Sequence, residues 1–345
     1  MKELLTQEYK RILRYIEVLI VIVAIAAIYN FVSPTSKHKT FYLSGSTSKE
    51  VAKNLEKYSY TVTFIDQVFM HLGTLPKEGW YHVEDTKKSR YTFFSSLHKK
   101  KAGTMKVVVY AGETAKELCR RLANDMKLDP KKLLEEYEVR SRFKEGDIFA
   151  QSYTLARKAD AFAVMQYLFD RSCKELSAFE KEYFKNKPEH STIRILLTIA
   201  SIIQKESNSA KEMPLISSVI YNRLDKKMKL QMDCTLNYGE YSHVIVTPER
   251  IKTDNTYFNT YRYKGLPPLP LGTVTMEALR AAMMPTESEY LFFMLTPSGV
   301  HNFAVTYEEH LKNIRAFREY QKKRKAQQEA ESNATVKTDT NRTKV

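Results

Sequence analysis

The longest run of apolar positions comes first. Residues 15–32, "YIEVLIVIVAIAAIYNFV", are apolar almost without interruption after Glu17. The uninterrupted part, about 15 residues, is slightly short for a bilayer, but tilt and the flanking Tyr15, Tyr29 and Phe31 complete a span. A polar linker, "SPTSKHKT", follows, and the pattern then shortens. "TFYLSGST" reads as a strand running into a turn. "SKEVAKNLEKY" has helical spacing of Val51, Leu55 and Tyr58, and "FIDQVFMHLG" reads as a second helix closed by Gly73 at a C-cap position. "GWYHVED" and "YTFFSSLHKKKAG" add strand and helix, so residues 39–104 are expected to form a small α+β module.

A second alternation starts at Lys106. Residues 106–110 read as a strand and Gly112 as a turn. Thr114 is placed to cap a helix carrying Leu118 and Leu122, and Asp129 to cap another with Pro130 first and Leu133 and Leu134 on its apolar side. "FKEGDIF" suggests a closing strand. Strand, helix, helix, strand over residues 105–155 resembles a LysM-like module, a glycan-binding fold; a packing unit without a glycan site fits the pattern equally well. "ADAFAVMQYLFDRSCKELSAFEKEYF" is then a helix, with a bend or break expected near Ser172. The largest domain spans residues 156–320. Residues 321–345 have no aromatic residue and no periodic apolar face, which predicts a fraying helix end and a disordered tail. The expected fold is therefore α+β: one N-terminal transmembrane helix after a short tail (1–14), a small α+β module, a LysM-like module and a mixed α/β catalytic domain.

Four stretches of the last domain carry polar groups where the pattern does not require them. In "LLTIASIIQKES", Ile202 lies about 40° from Glu206 around the helix and Ile199 and Ile195 about 20°, so a carboxylate ends an apolar stripe. That position is also disfavoured by the helix dipole, and a carboxyl so placed should have a raised pKa, as a general acid needs. "YNRLDKKMKLQMDCTLNYG" puts Gln231, Asp233 and Thr235 in alternation on an extended run. "DNTYFNTYRYKGLPPLPLG" reads as a rigid, proline-fixed loop whose aromatic faces and paired amide and hydroxyl groups suit a sugar chain. "YLFFMLTPSGVHNF" leads through a turn to His301 and Phe303. Each has a plainer alternative: a well-packed loop, a turn-capping Asp233, a satisfied core His301, a salt-bridged Glu206.

Charge and cysteine content narrow the class. The 345 residues carry a formal charge of +15, but Lys and Arg are scattered, and no zinc-finger spacing, RNP-like strand or Walker loop occurs. Nucleic acid is therefore not an expected partner. Cys119, Cys173 and Cys234 form no CxxC, which excludes a disulfide framework and leaves room for a single bridge. The eight histidines show no HExxH spacing, so neither metal nor cofactor is expected. Lys2, Lys10, Arg11 and Arg14 before the apolar run, against Lys37 and Lys39 after it, predict a cytoplasmic N-terminus with the remainder outside. A cleaved signal peptide is the rival, since "AIAA" could mimic a small-residue cleavage site; the mixed-charge first region argues against it.

In order and spacing, "LLTIASIIQKES", "IYNRLDKKMKLQMDCTLNYG", "FNTYRYKGLPPLPLG" and "HNF" resemble the MltG (YceG-like) endolytic murein transglycosylases, over about residues 193–317. Two departures stand out: Cys234 where the family commonly has proline, and Ser207 where it commonly has threonine. The resemblance implies a single-pass inner-membrane enzyme with its catalytic domain in the periplasm. It would cut the β-1,4 bond between N-acetylmuramic acid and N-acetylglucosamine within peptidoglycan strands, leaving 1,6-anhydro ends. Peptidoglycan synthases are candidate partners. The family's catalytic glutamate falls on Glu206. Gln231, Asp233, Thr235, Asn259, Thr260, Tyr261 and His301 are candidates for substrate contacts, with Tyr257 and Tyr263 as stacking faces. Asn259, which offers both a donor and an acceptor, is expected to matter nearly as much as Glu206, and Asp233 to shape a turn. The rivals are a hydrolytic muramidase with Asp233 or Asp254 as second carboxylate, and a non-enzymatic wall-binding scaffold.

Overall fold

The computed structural model describes residues 2–34, 36–84 and 89–342. The chain divides into two compact units: residues 1–108, 119–140 and 152–174 in the first, and 109–118, 141–151 and 175–345 in the second.

The first unit begins with α1 (Lys2–Phe31), of which Gln7–Phe31 is long and apolar enough to cross a membrane and is exposed along most of its length. Strand β1 (Thr40–Leu43), helices α2 (Ser48–Lys57) and α3 (Phe64–Leu72), strand β2 (Gly79–His82) and helix α4 (Arg90–Ser95) follow. β1 and β2 pair antiparallel, Thr40 opposite His82 and Leu43 opposite Gly79. The predicted spacing of α2 holds: Val51, Leu55 and Tyr58 are buried, and a reciprocal Thr47–Glu50 capping box starts the helix. Gly73 does follow α3, but with extended backbone rather than the left-handed cap conformation. Glycine is needed there because a Cβ would sit 2.8 Å from the Ser95 carbonyl oxygen.

Strand β3 (Thr104–Val108), helices α5 (Ala115–Met126) and α6 (Pro130–Arg140) and strand β4 (Ser152–Ala156) give the expected strand–helix–helix–strand order. β3 and β4 pair antiparallel from Thr104–Ala156 to Val108–Ser152. The closing strand is "SYTLA", not "FKEGDIF". In SYTLA, Tyr153 and Leu155 alternate inward. In FKEGDIF, the Asp147 carboxylate accepts from the Ser141 hydroxyl (2.7 Å) and the Arg142 amide (3.0 Å), which tie the chain into a turn. Helix α7 (Ala161–Tyr183) runs unbroken through Ser172. That serine is buried and 3.2 Å from the Tyr153 hydroxyl, so its polar group is satisfied without disturbing the helix.

The second unit is built on α8 (His190–Glu206), packed by α9 (Met213–Asp225) and α11 (Met276–Met283), with the short α10 (Pro248–Thr253) between them in sequence. Every residue from Leu196 to Gln204 of α8 is buried. Ile195, expected on the apolar stripe, is 47% exposed, because the stripe that reaches the core runs through Ile199, Ile202 and Ile203 instead. The hairpin of β5 (Phe292–Leu295) and β6 (His301–Ala304) pairs Leu295 with His301. Helix α12 (Tyr307–Arg342) continues through residues read from sequence as a disordered tail; 343–345 lie outside the described residues. Cys234 is a buried, unbridged thiol.

One buried ion pair organises the first unit. The Arg90 guanidinium donates to both Asp66 oxygens, each at 2.8 Å, and to the Thr61 carbonyl at 2.6 Å. The Thr63 amide (2.8 Å) and the Tyr29 hydroxyl (2.9 Å) also donate to Asp66. Burial pushes the Asp66 carboxyl up, but these donors outweigh it and hold it below its ordinary value. A depressed carboxyl contributes stability above its unfolded pKa and loses it as pH falls through the folded one. We therefore expect Asp66→Ala, which strands a buried guanidinium, to destabilise the unit by about 3–5 kcal/mol. Thermal melts should show that gap at neutral pH and a smaller one in acid.

Candidate active site

Helix α8 is fastened along its length to the segment after the proline-rich loop. The Ser201 hydroxyl accepts from the Leu271 amide at 2.9 Å, and the Gln204 carbonyl accepts from the Thr275 hydroxyl at 2.8 Å and amide at 3.1 Å. Past Gln204 the helix emerges from the core, and Glu206 is its last residue, with Ser207 already extended. The side chain of Glu206 therefore stands where the apolar stripe meets a cleft.

The neighbouring wall is residues 230–236. Leu230, Met232, Cys234 and Leu236 are buried, whereas Gln231 and Asp233 face out. Gln231 holds φ at +52°, a left-handed conformation that costs a non-glycine residue energy. After Asp233 the chain tightens into a 3-10 turn, Asp233–Leu236. The predicted alternation stops there, and Thr235 points into the protein at 0% exposure.

The loop "FNTY" locks this wall from behind. Thr260 is buried; its hydroxyl accepts from the Met232 amide at 3.1 Å and lies 2.9 Å from the Thr235 hydroxyl. Asn259 is fully buried, its amide donating to the Ile251 and Asp254 carbonyls (2.8 and 2.9 Å) while its oxygen accepts from the Tyr261 amide at 3.1 Å. Three of the expected substrate contacts, Thr235, Asn259 and Thr260, thus have their polar groups engaged inside the fold. Asn259 in particular has little left to offer an acetamido group. Tyr257 and Tyr263 pack on each other, ring centroids 4.8 Å apart, and do not line the cleft.

The cleft itself has a volume of about 570 Å³, within the usual range for ligand sites. Glu206, Gln231, Asp233, Tyr261 and His301 line it, so five of the expected residues are brought together. Phe292, Phe293 and Leu295 of β5 supply an apolar wall. Burial raises the Glu206 carboxyl above its ordinary value; the Cys234 thiol and the His301 ring oppose this, and the Asp233 carboxylate adds to it. The Tyr261 hydroxyl donates to Asp233 at 2.6 Å. Burial, then this carboxylate, raises the phenol well above its ordinary value.

Two residues of the site escaped the sequence reading. Glu212 accepts from the His301 amide (2.7 Å) through one carboxylate oxygen. Its other oxygen lies 2.9 Å from the His301 ring nitrogen Nδ1 and 3.1 Å from the Ser207 hydroxyl. Burial works against it, but these contacts hold Glu212 below its ordinary pKa. Nothing local signals this pair, since its members are 89 residues apart. Arg223, in the quoted "NRL" run, also lines the cleft. Its guanidinium donates to the Leu291 carbonyl at 2.6 Å and the Leu230 carbonyl at 2.7 Å, joining the two cleft walls.

A protein-family model described as the YceG-like family matches residues 43–316, and the chain belongs to that family. Among its relatives is the endolytic murein transglycosylase of Bacillus subtilis (strain 168), 32% identical over 170 residues, which cover 49% of this chain and 46% of that protein. The endolytic murein transglycosylase of Streptococcus pneumoniae (strain D39) is 28% identical over 176 residues, 49% of this chain and 31% of that protein. The chain thus spans less than half the length of these relatives. The crystal structure of the yceG-like protein lmo1499 from Listeria monocytogenes superposes with a TM-score of 0.50 at 25% identity, covering 81% of this chain and 99% of that one.

The surroundings of Asn259 and Asp233 reverse the roles expected from sequence. Asn259→Ala removes three buried hydrogen bonds and should lower stability by about 2–4 kcal/mol. Asp233→Asn changes an exposed group on the cleft, so its melting temperature should hold within about 1 °C of wild type. Paired melting curves of the two variants check this.

Proposed function

We propose that this protein is a lytic transglycosylase that cuts peptidoglycan strands internally, between N-acetylmuramic acid and N-acetylglucosamine, leaving 1,6-anhydro-muramic ends. The observation that carries the reading is the Glu206 carboxyl, raised in pKa at the wall of a sugar-sized cleft. The names of the relatives support the same class of activity.

In this mechanism protonated Glu206 gives its proton to the glycosidic oxygen as the bond to the anomeric carbon breaks. The C6 hydroxyl of the same muramic ring attacks that carbon, and the Glu206 carboxylate takes the hydroxyl proton as the ring closes. No water is consumed and Glu206 ends protonated, ready for another cycle. The Asp233 carboxylate favours positive charge building at the anomeric carbon. Gln231, Tyr261 and His301 are the groups placed to meet sugar hydroxyl and acetamido groups, with His301 fixed by Glu212. Termination of growing glycan strands follows as the biological role, with synthases as working partners. The apolar span of α1 is the inner-membrane anchor, with the short tail before it in the cytoplasm and the chain after it in the periplasm, and the run from β3 to β4 is a LysM-like module.

One observation favours a second reading, hydrolysis: Asp233 shares the cleft and could activate a water. Mass spectrometry separates the two, because anhydro products are lighter by one water than hydrolysed ones.

Glu206→Gln keeps the shape and removes the transferable proton, so cleavage of purified sacculi should fall by about 100- to 10,000-fold. The sign for stability is opposite to that of Asp66. A carboxyl whose folded pKa is raised costs stability as pH climbs from its ordinary value through the raised one. Glu206→Gln should therefore melt no lower than wild type at neutral pH. Near-wild-type turnover by this variant would sink the assignment. Intact-mass analysis of the native protein tests the anchor; a mature N-terminus near Ala27 would refute it.

A further inference from the structure

The first unit contains a second cavity, of about 530 Å³, that the proposed reaction does not use. Its floor is apolar, from Val83, Phe93 and Leu97, all buried. Its rim carries Lys99, Lys100, Lys101, Arg157 and Lys158. Two stretches distant in sequence are held together to make this rim. The His82 amide donates to the Lys100 carbonyl and the Ala102 amide to the Trp80 carbonyl, both at 2.9 Å, so the lysine run lies along β2. The Arg157 amide donates to the Gly103 carbonyl, and the Thr40 hydroxyl to the Lys158 carbonyl, again both at 2.9 Å.

The charge is poorly compensated. Among the described residues, Glu84 is the only carboxylate of the lining, and it pairs with Lys158 at 2.9 Å. The other four cations have no ion-pair partner among those residues. His82, at the edge of the cavity, is held below its ordinary pKa by burial and by the Lys158 and Lys39 charges, with Glu84 opposing. Five cations around one cavity repel one another, a cost that a bound anion would relieve. Ammonium and guanidinium donors above an apolar floor suit a phosphate with an organic stem.

The cavity also lies near the end of α1. The Asn30 side chain accepts from the Tyr91 amide at 2.8 Å, and Arg90 stacks 4.5 Å over the Tyr29 ring, so the start of α4 is docked on the last turn of the apolar helix. Phe93 on that same helix and Ser96 just past its end line the cavity, within about 9 Å of rise from Arg90. On the anchor reading above, this places the basic rim at headgroup depth, within reach of anionic phospholipid headgroups.

We propose that this cavity binds a phosphate-bearing headgroup, that of an anionic phospholipid. The inference rests on the anchor reading only for where the headgroup comes from; binding to the cavity is measurable whether or not α1 is retained.

Binding is measured by calorimetry on the full-length protein in neutral detergent, with three probes: short-chain phosphatidylglycerol, the matching phosphatidylcholine, and inorganic phosphate. The cavity variant is Lys100→Gln/Arg157→Gln/Lys158→Gln. The control, Lys116→Gln/Lys131→Gln/Lys132→Gln, removes equal charge from exposed positions outside the cavity. We expect saturable phosphatidylglycerol binding, at least about tenfold weaker in the cavity variant and within about twofold of wild type in the control. Where melting shows the triple variant to be unstable, Lys101→Glu alone should give the same loss. Equal weakening in both triple variants means diffuse surface attraction and overturns the site. So does the absence of saturable binding by phosphatidylglycerol and phosphate alike. Phosphate binding that the cavity variant loses, with no phosphatidylglycerol binding, keeps the anion site and overturns the lipid source. Phosphatidylglycerol binding by a protein whose intact mass shows α1 removed would sink the anchor and leave the cavity standing.

Discussion

The burial of α8 is the constraint on which the candidate site depends. A helix enclosed over nine consecutive residues, Leu196–Gln204, has no freedom to slide or rotate. Its last residue is therefore fixed in space by packing alone. Two polar side chains within the buried stretch, Ser201 and Gln204, use their hydrogen bonds to pin the strand of chain that leads into α11. Apolar contact thus sets the position of Glu206, and buried polar contact sets what stands beside it. A carboxyl delivered this way is only partly surrounded by water, and desolvation is the first cause of its raised pKa.

The "FNTY" loop shows how a polar sequence can serve a site without touching substrate. Thr260, Thr235 and the Met232 amide form a closed set of buried hydrogen bonds. Asn259 does the same for its own loop. Such a set holds only in one register, so Gln231 is forced into its left-handed conformation, between a bonded amide on one side and a buried Met232 on the other. The strain has an evident use: it aims Gln231 and Asp233 outward from a wall that is otherwise core.

Much of this architecture is readable in the sequence, and the failures have physical causes. Helices with caps and clean periodicity, such as α2, α5 and α6, appear where expected because local signals and burial agree. The outward members of the site, Glu206, Gln231, Asp233, Tyr261 and His301, are legible from motif order. Which polar residues of a dense loop point in is not, because Asn259 and Tyr261 have similar propensities and differ only in tertiary surroundings. The misplaced closing strand has the same origin: nothing in "FKEGDIF" announces that Asp147 will bond the Ser141 hydroxyl and the Arg142 amide just before it. The Glu212–His301 pair is the purest case, since neither side chain finds its partner until α9 and the β5–β6 hairpin meet.

That pair also bears on why the carboxyl groups in and next to one cleft keep distinct roles. Glu212 is buried too, yet three donors hold its proton affinity below the ordinary value. At Glu206 the Cys234 thiol and amide also donate, but burial outweighs them and carries its proton affinity the other way. Environments that push like groups apart assign one to carry a proton and the other to stay charged. Glu212, ionised, can orient His301 through its amide and its ring at once. Asp233, more exposed and tied to the Tyr261 hydroxyl, raises Glu206 further by its charge. A base that activates water must hold that water on the face of the ring opposite the departing oxygen. Asp233 has one oxygen committed to Tyr261, whereas in the reaction we propose the internal hydroxyl needs no such base, because Glu206 would recover the proton from the face on which it released it. Under that proposal, the division of labour among these carboxyl groups favours closure of the sugar on itself over hydrolysis.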